Sequence, residues 1–226
     1  MLPPNVNAKD FADALKQFEE AIGKEWVFTT DEDVALYRDA YSPFWGEPEE
    51  RVASAAVAPD SVEQVQAVMK IANQYKIPIY PISTGKNLGY GGSAPNLSGS
   101  IVLDLKRMNR ILDVSERNHS ALVEPGVSYF DLYRYIQERK LKLWVDVPDP
   151  GWGSPVGTRS IMEAAIYSRS TAITSIRTAE WKWSWPTATF CAPEWARCPA
   201  QKRGSSTSSD SDRGSTACFR SRTLAS

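Results

Sequence analysis

The apolar patterning that lets a chain bury a core runs through this 226-residue sequence only as far as Gly157. Up to that point helix-spaced and strand-like runs follow one another, separated by turn residues. Beyond it, "TRSIMEAAIYSRSTAITSIRT" holds no sustained period, and "QKRGSSTSSDSDRGSTACFRSRTLAS" is Ser/Arg-rich low complexity. Charge changes sign at the same place: residues 1–157 carry 16 Lys+Arg against 22 Asp+Glu, and residues 158–226 carry 10 against 5. A core must therefore come from the first 157 residues. The expected organisation is an N-terminal helical segment over 1–50, a domain over 51–157, and an irregular or disordered tail over 158–226.

The totals exclude several classes. Formal net charge is −1, which gives no global case for a nucleic-acid partner. No apolar run reaches the roughly 18 residues of a membrane-spanning helix, and "MLPPNVNAKDFADALKQF" lacks the basic and apolar regions of a signal peptide. The chain is expected in the cytoplasm, with no membrane partner. Cys191, Cys198 and Cys218 all lie in the tail, and the single histidine is His119, so no metal centre is expected.

Within the patterned part, "AKDFADALKQFEEAI" places Phe11, Leu15, Phe18 and Ile22 at helical spacing, with Gly23 as a stop. "EWVFTT" reads as a strand, and Thr30 followed by three acids reads as the capped start of a helix reaching about Arg38. "ASAAVAP" is a buried strand. Asp60 and Glu63 have capping-box spacing, ahead of a helix whose apolar face is Val62, Val65, Val68, Met69 and Ala72. "IPIYPIS" is the next strand, and "SIVLDL", "RILDVS" and "SALVEPG" suggest an antiparallel meander. A helix from Ser128, with Phe130, Leu132, Tyr133 and Ile136 inward, and a strand "LKLWVDVP" with Trp144 in the core complete an α+β pattern.

The strongest chemical signal is "PISTGKNLGYGGSAP", directly after a strand. Its glycines remove Cβ atoms where the backbone turns sharply, so successive N–H groups can converge on a phosphate or pyrophosphate. The spacing fits neither a P-loop nor a dinucleotide fingerprint, and no long helix follows. Composition alone leaves a glycine-rich turn with no ligand as the alternative.

Four ordered stretches narrow the choice: "APDSVEQVQAVMKIANQYKIPIYPISTGKNLGYGG", "GSIVLDLKRMNRILDVS", "ALVEPGVSYFDLYRYI" and "LWVDVPDPGWGSPVG". Together, over roughly residues 10–157, they resemble the FAD-binding domain of the flavoprotein group that includes vanillyl-alcohol oxidase, 4-cresol dehydrogenase (p-cresol methylhydroxylase) and the eugenol hydroxylases. The resemblance implies an α+β, two-subdomain FAD-binding domain of the PCMH type, here incomplete. It implies that Thr84, Gly85, Lys86, Asn87, Leu88, Gly89, Tyr90 and Gly91 wrap the FAD pyrophosphate, and that Glu124, Pro125, Gly126, Pro148, Gly153, Ser154, Val156 and Gly157 add contacts along the cofactor. It further implies an oxidoreductase that takes a hydride from the benzylic carbon of a 4-hydroxylated aromatic, with cytochrome c or oxygen as electron acceptor and oligomeric full-length relatives. Asp149 is the carboxylate expected near the flavin, with Asp146 the lesser candidate; a plain turn residue between Pro148 and Pro150 is the alternative. Trp152 stands where the group usually has a small residue.

The tail lacks what such proteins carry next: a glycine-rich run, "GDHF", "GMEMV" and "LRTGMGALP". The genetic code accounts for this. GGC AAC GCG ATC GAT CAT GGA GGC encodes GNAIDHGG; deleting one A from AAC gives GGC ACG CGA TCG ATC ATG GAG GC, which reads GTRSIMEA, the residues from Gly157 to Ala164. In the same shifted frame "AEWKWSWPTAT" permits GMEMVMADGD, "STAITSIRTAE" permits DGDHFDPHSGM, and "TFCAPEWARCPAQKRG" permits LRTGMGALPGAETW. Trp181, Trp183 and Trp185, which look like an aromatic platform, are on this reading the shifted codons of a Met-rich strand. The competing reading is a non-catalytic binding module whose basic Ser/Arg-rich tail engages RNA or another anion. Sequencing the gene across the Gly157 codon is expected to place Thr158 one base out of a frame that continues with the motifs above; an intact frame in independent copies would rule the shift out.

Overall fold

Asn7 starts the first helix, α1 (Ala8–Ile22), its side chain accepting the Asp10 N–H at 2.8 Å while the Asp10 carboxylate lies in the first turn. Gly23 ends it at a φ of +94°. The structure is a computed structural model that describes residues 1–86, 92–145 and 151–157, and the backbone of 158–160, 172–173, 175–178, 182–184 and 189–191. All of these belong to one compact unit, Met1–Pro193; the second unit, Glu194–Ser226, lies outside the described residues.

The elements that follow are β1 (Val27–Phe28), α2 (Asp31–Ala35), β2 (Ala55–Val57), α3 (Val62–Tyr75), β3 (Ile79–Ile82) and β4 (Ile101–Asp104). Strand β1 is shorter than "EWVFTT" suggests, because Lys24–Trp26 form a 3-10 turn. Thr30 caps α2 as expected, but the helix ends at Ala35: Leu36, Tyr37 and Arg38 donate to the carbonyls three residues back, which tightens the turn. The capping box at Asp60 does not form. Ser61 is the N-cap, the Asp60 carboxylate pairs with Arg107 at 3.0 Å, and the Asp60 N–H donates to Gln64 Oε1.

The sheet order is β1-β2-β4-β3, with β4 parallel to both neighbours and β1 antiparallel at the edge. "SIVLDL" is therefore no part of a meander. Ile101, Val102 and Leu103 are all buried, the continuous apolar run that a central parallel strand requires. One sheet face (Ala55, Val57, Ile101, Leu103) packs with Phe11, Ala14 and Phe18 of α1 and Val65, Val68 and Met69 of α3. The other (Ala56, Val102, Ile82) packs with Tyr37 and Ala53, flanked by Phe28, Val34 and Tyr80.

A second layer is built from β5 (Ile111–Ser115), β6 (Ser120–Val123), α4 (Tyr129–Glu138), β7 (Trp144–Val145) and α5 (Pro155–Ser160). β5 and β6 form an antiparallel hairpin with an irregularity between Ile111 and Asp113. Ser128 and Asp131 form a capping box at α4. The buried stripe of α4 is Tyr129, Leu132 and Ile136, at i, i+3 and i+7, so Phe130 and Tyr133 face outward instead of inward. Trp144 is more than a third exposed, and Leu143 takes the core position beside Val123 and Val127.

Within 158–226, where an irregular chain is expected, the described backbone forms β8 (Ala172–Ile173), parallel to β7; β9 (Ser175–Thr178), parallel to β6; and a pair β10 (Lys182–Ser184) with β11 (Thr189–Cys191). Backbone donors and acceptors belong to every non-proline residue, so strands can pair without a core-forming side-chain pattern. Trp183 falls in β10, while Trp181 and Trp185 lie outside the described residues. Truncating Leu103 to Ala is expected to cost about 3 kcal/mol of stability in urea denaturation, since Leu103 is sealed in the central strand; Leu112→Ala, half-exposed, is expected to cost about 0.5 kcal/mol or less.

Candidate cofactor site

Parallel strands present ligands at their carboxyl ends. In this fold the chain leaving β3 at Ile82 runs into the glycine-rich segment, and the chain leaving β4 at Asp104 runs beside it. Leu105 N–H donates to Ile82 O at 3.0 Å, the last rung between them. Among the described residues no protein acceptor takes the N–H of Ser83, Thr84, Gly85 or Lys86. Thr84 is buried, and its hydroxyl likewise has no protein partner among the described residues. At the buried Thr84 an unpartnered donor is costly, and an anion bound there would satisfy it together with the neighbouring amides.

The two limbs of the segment meet at Gly85. Its φ is +65°, a Cβ there would stand 2.3 Å from Ser93 Oγ, and Ser93 Oγ donates to Gly85 O at 3.1 Å. Gly92, on the returning limb, also has positive φ. Helix α5 lies against the first limb, since a Cβ on Gly157 would stand 2.7 Å from Ser83 Oγ. At the start of α5, buried Ser154 donates to Pro125 O at 2.8 Å and accepts the Val156 N–H at 3.2 Å. Gly126 donates to Met108 O at 2.7 Å, and a Cβ on it would stand 2.5 Å from Lys106 O. The contacts thus close a ring: 83–85, Gly157, Ser154, Pro125, Gly126, the residues after β4, and back to Ile82.

Of the residues expected at the cofactor, the structure brings Thr84, Gly85, Pro125, Gly126, Ser154 and Gly157 into this ring. Lys86 is exposed at its margin. The buried Glu124 carboxylate is taken by Arg110, which donates to it from its backbone N–H, Nε and Nη2 at 2.8, 2.9 and 2.6 Å, so its side chain serves the fold. Gly153 offers its carbonyl to the Tyr129 N–H at the start of α4, and Val156 packs on the second core. Asn87, Leu88, Gly89, Tyr90, Gly91, Asp146, Pro148 and Asp149 lie outside the described residues. Trp152, half-exposed, lies near Phe130 with ring centroids 6.4 Å apart. His119 sits in the β5–β6 turn at φ +47°, away from the ring in the fold's second layer.

Sequence reasoning missed a buried polar cluster beside the ring. Asp104 Oδ2 accepts from Tyr37 Oη at 2.9 Å and from Lys106 Nζ at 3.1 Å, and Oδ1 accepts the Lys106 N–H. Burial first, and then the Asp104 carboxylate, push the Tyr37 phenol well above its ordinary range and keep it a donor. The signal was available: an acid closing an otherwise apolar strand must find a partner.

Comparison with known proteins matches residues 53–167 to the FAD binding domain family. The chain belongs to that family. It is 40% identical over 158 residues to the 4-cresol dehydrogenase [hydroxylating] flavoprotein subunit of Pseudomonas putida, covering 70% of this chain and 30% of that one. It is similar to the crystal structure of p-cresol methylhydroxylase with substrate bound, at TM-score 0.67 and 40% identity, and to 4-ethylphenol oxidase from Gulosibacter chungangensis in its isoeugenol complex, at 0.66 and 41%. Each is covered over 70% of this chain and 30% of the other, so this chain spans under a third of the length of these relatives. FAD is thus the cofactor of this domain, and the amides of 83–86, which have no acceptor among the described residues, the Thr84 hydroxyl and the Cβ-free positions fit a pyrophosphate held by backbone. Gly46 (φ +80°, nothing within 4 Å) and Gly85 carry similar backbone strain as alanine, about 1 kcal/mol, but only Gly85→Ala adds a collision. Gly85→Ala is expected to weaken FAD binding about tenfold or more in a flavin-fluorescence titration, and Gly46→Ala to leave it near the unsubstituted chain.

Proposed function

We propose that the gene encodes an FAD-dependent oxidoreductase of the para-alkylphenol type, of which this chain carries the cofactor-binding part. FAD, when bound, accepts a hydride from the substrate's benzylic carbon. The residues of this chain bind and orient it: 83–86 offer backbone donors to the pyrophosphate, Thr84 adds a hydroxyl, and Ser154 and Gly126 hold the opposite wall in register. Asp149 is the carboxylate we assign to the substrate side, where a fixed negative charge would stabilise the electron-poor benzylic centre as hydride leaves. A 4-hydroxyl on the substrate supports the same step, because a phenolate pushes electron density toward the departing hydride.

The observation that carries this reading is the ring at the ends of β3 and β4, taken with 40% identity to a flavoprotein subunit whose name gives 4-cresol as its substrate. The 4-ethylphenol oxidase, 41% identical, supports the same substrate class. That subunit designation also favours a separate electron-transfer partner, a cytochrome, with oxygen as the other acceptor. We propose further that residues 158–226 are out-of-frame translation, so that the chain as written binds FAD without turnover. What supports this is the recovery of three motifs in order in the shifted frame; the family match covers 53–167.

Two proteins decide the matter: the chain as written, and one expressed after a single nucleotide is restored at the codon following Gly157. Both are expected to retain flavin, and only the restored protein to bleach its flavin absorbance under anaerobic 4-cresol. Bleaching of the chain as written would overturn the frame assignment. Bleaching of the restored protein by D-lactate but not by any 4-alkylphenol would overturn the substrate class, since several more distant relatives are D-lactate dehydrogenases.

A further inference from the structure

The segment from Tyr37 to Asp39 packs at the strand end from which the cofactor loop departs and against its returning limb, although it precedes the matched family region by more than ten residues. At one end, Tyr37 is buried in the same cluster as Ile82, the residue from which the first limb departs, and hydrogen-bonds Asp104, the strand partner of Ile82. At the other end, Asp39 lies on Gly92 of the returning limb: a Cβ built on Gly92 would stand 3.4 Å from Asp39 Oδ1 and 3.9 Å from Asp39 Cα. Between them Arg38 is locked outward, bonded to Glu50 through two nitrogens and stacked 3.8 Å from the centre of the Trp45 ring. The Asp39 carboxylate is itself fixed by the Tyr41 N–H at 3.0 Å. Three consecutive residues thus bridge the entry and exit of the loop, and each is held by a separate anchor.

We propose that Tyr37–Asp39 is a strap that sets the spacing of the two limbs of the FAD loop, with Tyr37 a positioning residue for the cofactor. The inference rests on the FAD reading above. The strap acts through Asp104. With Tyr37 in place, Oδ2 accepts from the phenol as well as from Lys106 Nζ, Oδ1 accepts the Lys106 N–H, and the end of β4 is fixed against Ile82 from the N-terminal segment too. Without the phenol, one oxygen of a buried carboxylate loses its neutral donor, and the Tyr37 end of the strap is tied by packing alone. The limbs then gain freedom at the positions whose amides must converge on one anion, so affinity falls through lost preorganisation.

The test compares Tyr37→Phe with Tyr75→Phe. Tyr75 accepts from Gln17 Nε2 at 2.6 Å on the opposite face of the sheet, so the second substitution removes a part-buried side-chain hydrogen bond of a tyrosine far from the loop. Both retain the aromatic ring and are expected to fold. Hydrogen exchange is read at the Leu105 amide, which bonds Ile82 O at the loop end of the β3–β4 ladder, and at the Ile101 amide, which bonds Pro78 O at the far end. Tyr37→Phe is expected to speed exchange at Leu105 about tenfold with Ile101 unchanged, and to weaken FAD binding about tenfold; Tyr75→Phe is expected to leave the Leu105-to-Ile101 ratio and FAD affinity within about twofold of the unsubstituted chain. Equal acceleration at both amides in Tyr37→Phe, or unchanged FAD affinity, would overturn the strap. Failure of the unsubstituted chain to take up FAD would instead overturn the cofactor reading for this chain, and the exchange ratio would still decide the strap.

Discussion

A strand buried on both faces can end in a carboxylate only if the surrounding structure supplies its hydrogen bonds, and β4 ends in Asp104. That requirement organises the site. Meeting it brings Tyr37 in from the N-terminal segment, folds Lys106 back over the strand end, and fixes where the chain after β4 runs. From there Lys106 O and Leu105 O press on Gly126, which only a residue without Cβ can occupy, and Gly126 carries Pro125 to within reach of Ser154. The cofactor loop is therefore framed by contacts that begin at one buried acid.

Cation stacking reinforces the same frame from outside. Arg107 lies 3.5 Å from the centre of the Trp26 ring, donates to Ala58 O at 2.7 Å and pairs with Asp60. It joins the chain after β4 to the chain after β2, so the carboxyl ends of adjacent parallel strands are tied at the level of the ligand side. The Arg110–Glu124 pair does the equivalent at the open end of the β5–β6 hairpin, joining the turn before β5 to the turn after β6. Arg107 thus spans a backbone carbonyl, a ring and a carboxylate, and Arg110 reaches Glu124 through two guanidinium nitrogens and its own backbone N–H, a fixed geometry that a lysine could not reproduce.

Local rules read well wherever the deciding partner was near in sequence. The caps at Thr30 and Ser128, the Gly23 stop and the apolar face of α3 depend on neighbours within a turn or two, and they stand where the pattern puts them. Three of the errors share a cause: a partner distant in sequence. Asp60 had the spacing of a cap, but Arg107, 47 residues on, took its carboxylate. "SIVLDL" had the spacing of a meander, but β2, more than 40 residues earlier, took its edge. Phe130 and Tyr133 were apolar at helical spacing, yet the stripe was set by Tyr129, whose N–H is capped by Gly153 O from across the fold. Of the site, Gly85, Gly126 and Gly157 were legible, and each stands where a Cβ would collide with a neighbour. Glu124 was legible as a site residue but not as Arg110's partner.

The Tyr37–Asp104 bond also bears on what counts as the domain. A family boundary at residue 53 follows the region over which sequences align, whereas the physical unit is set by which residues must be present for the loop to hold its shape. Tyr37 fills the face of the sheet opposite α1 and α3, beside Val102 and Ile82, and without it that face would expose apolar surface around a buried acid. The first fifty residues are thus no appendage. α1 shares one face of the cofactor-bearing sheet with α3, and the segment through Tyr37 covers the other, so a fragment beginning at residue 53 would hold the loop's glycines while keeping only α3 against the strands that carry the two limbs.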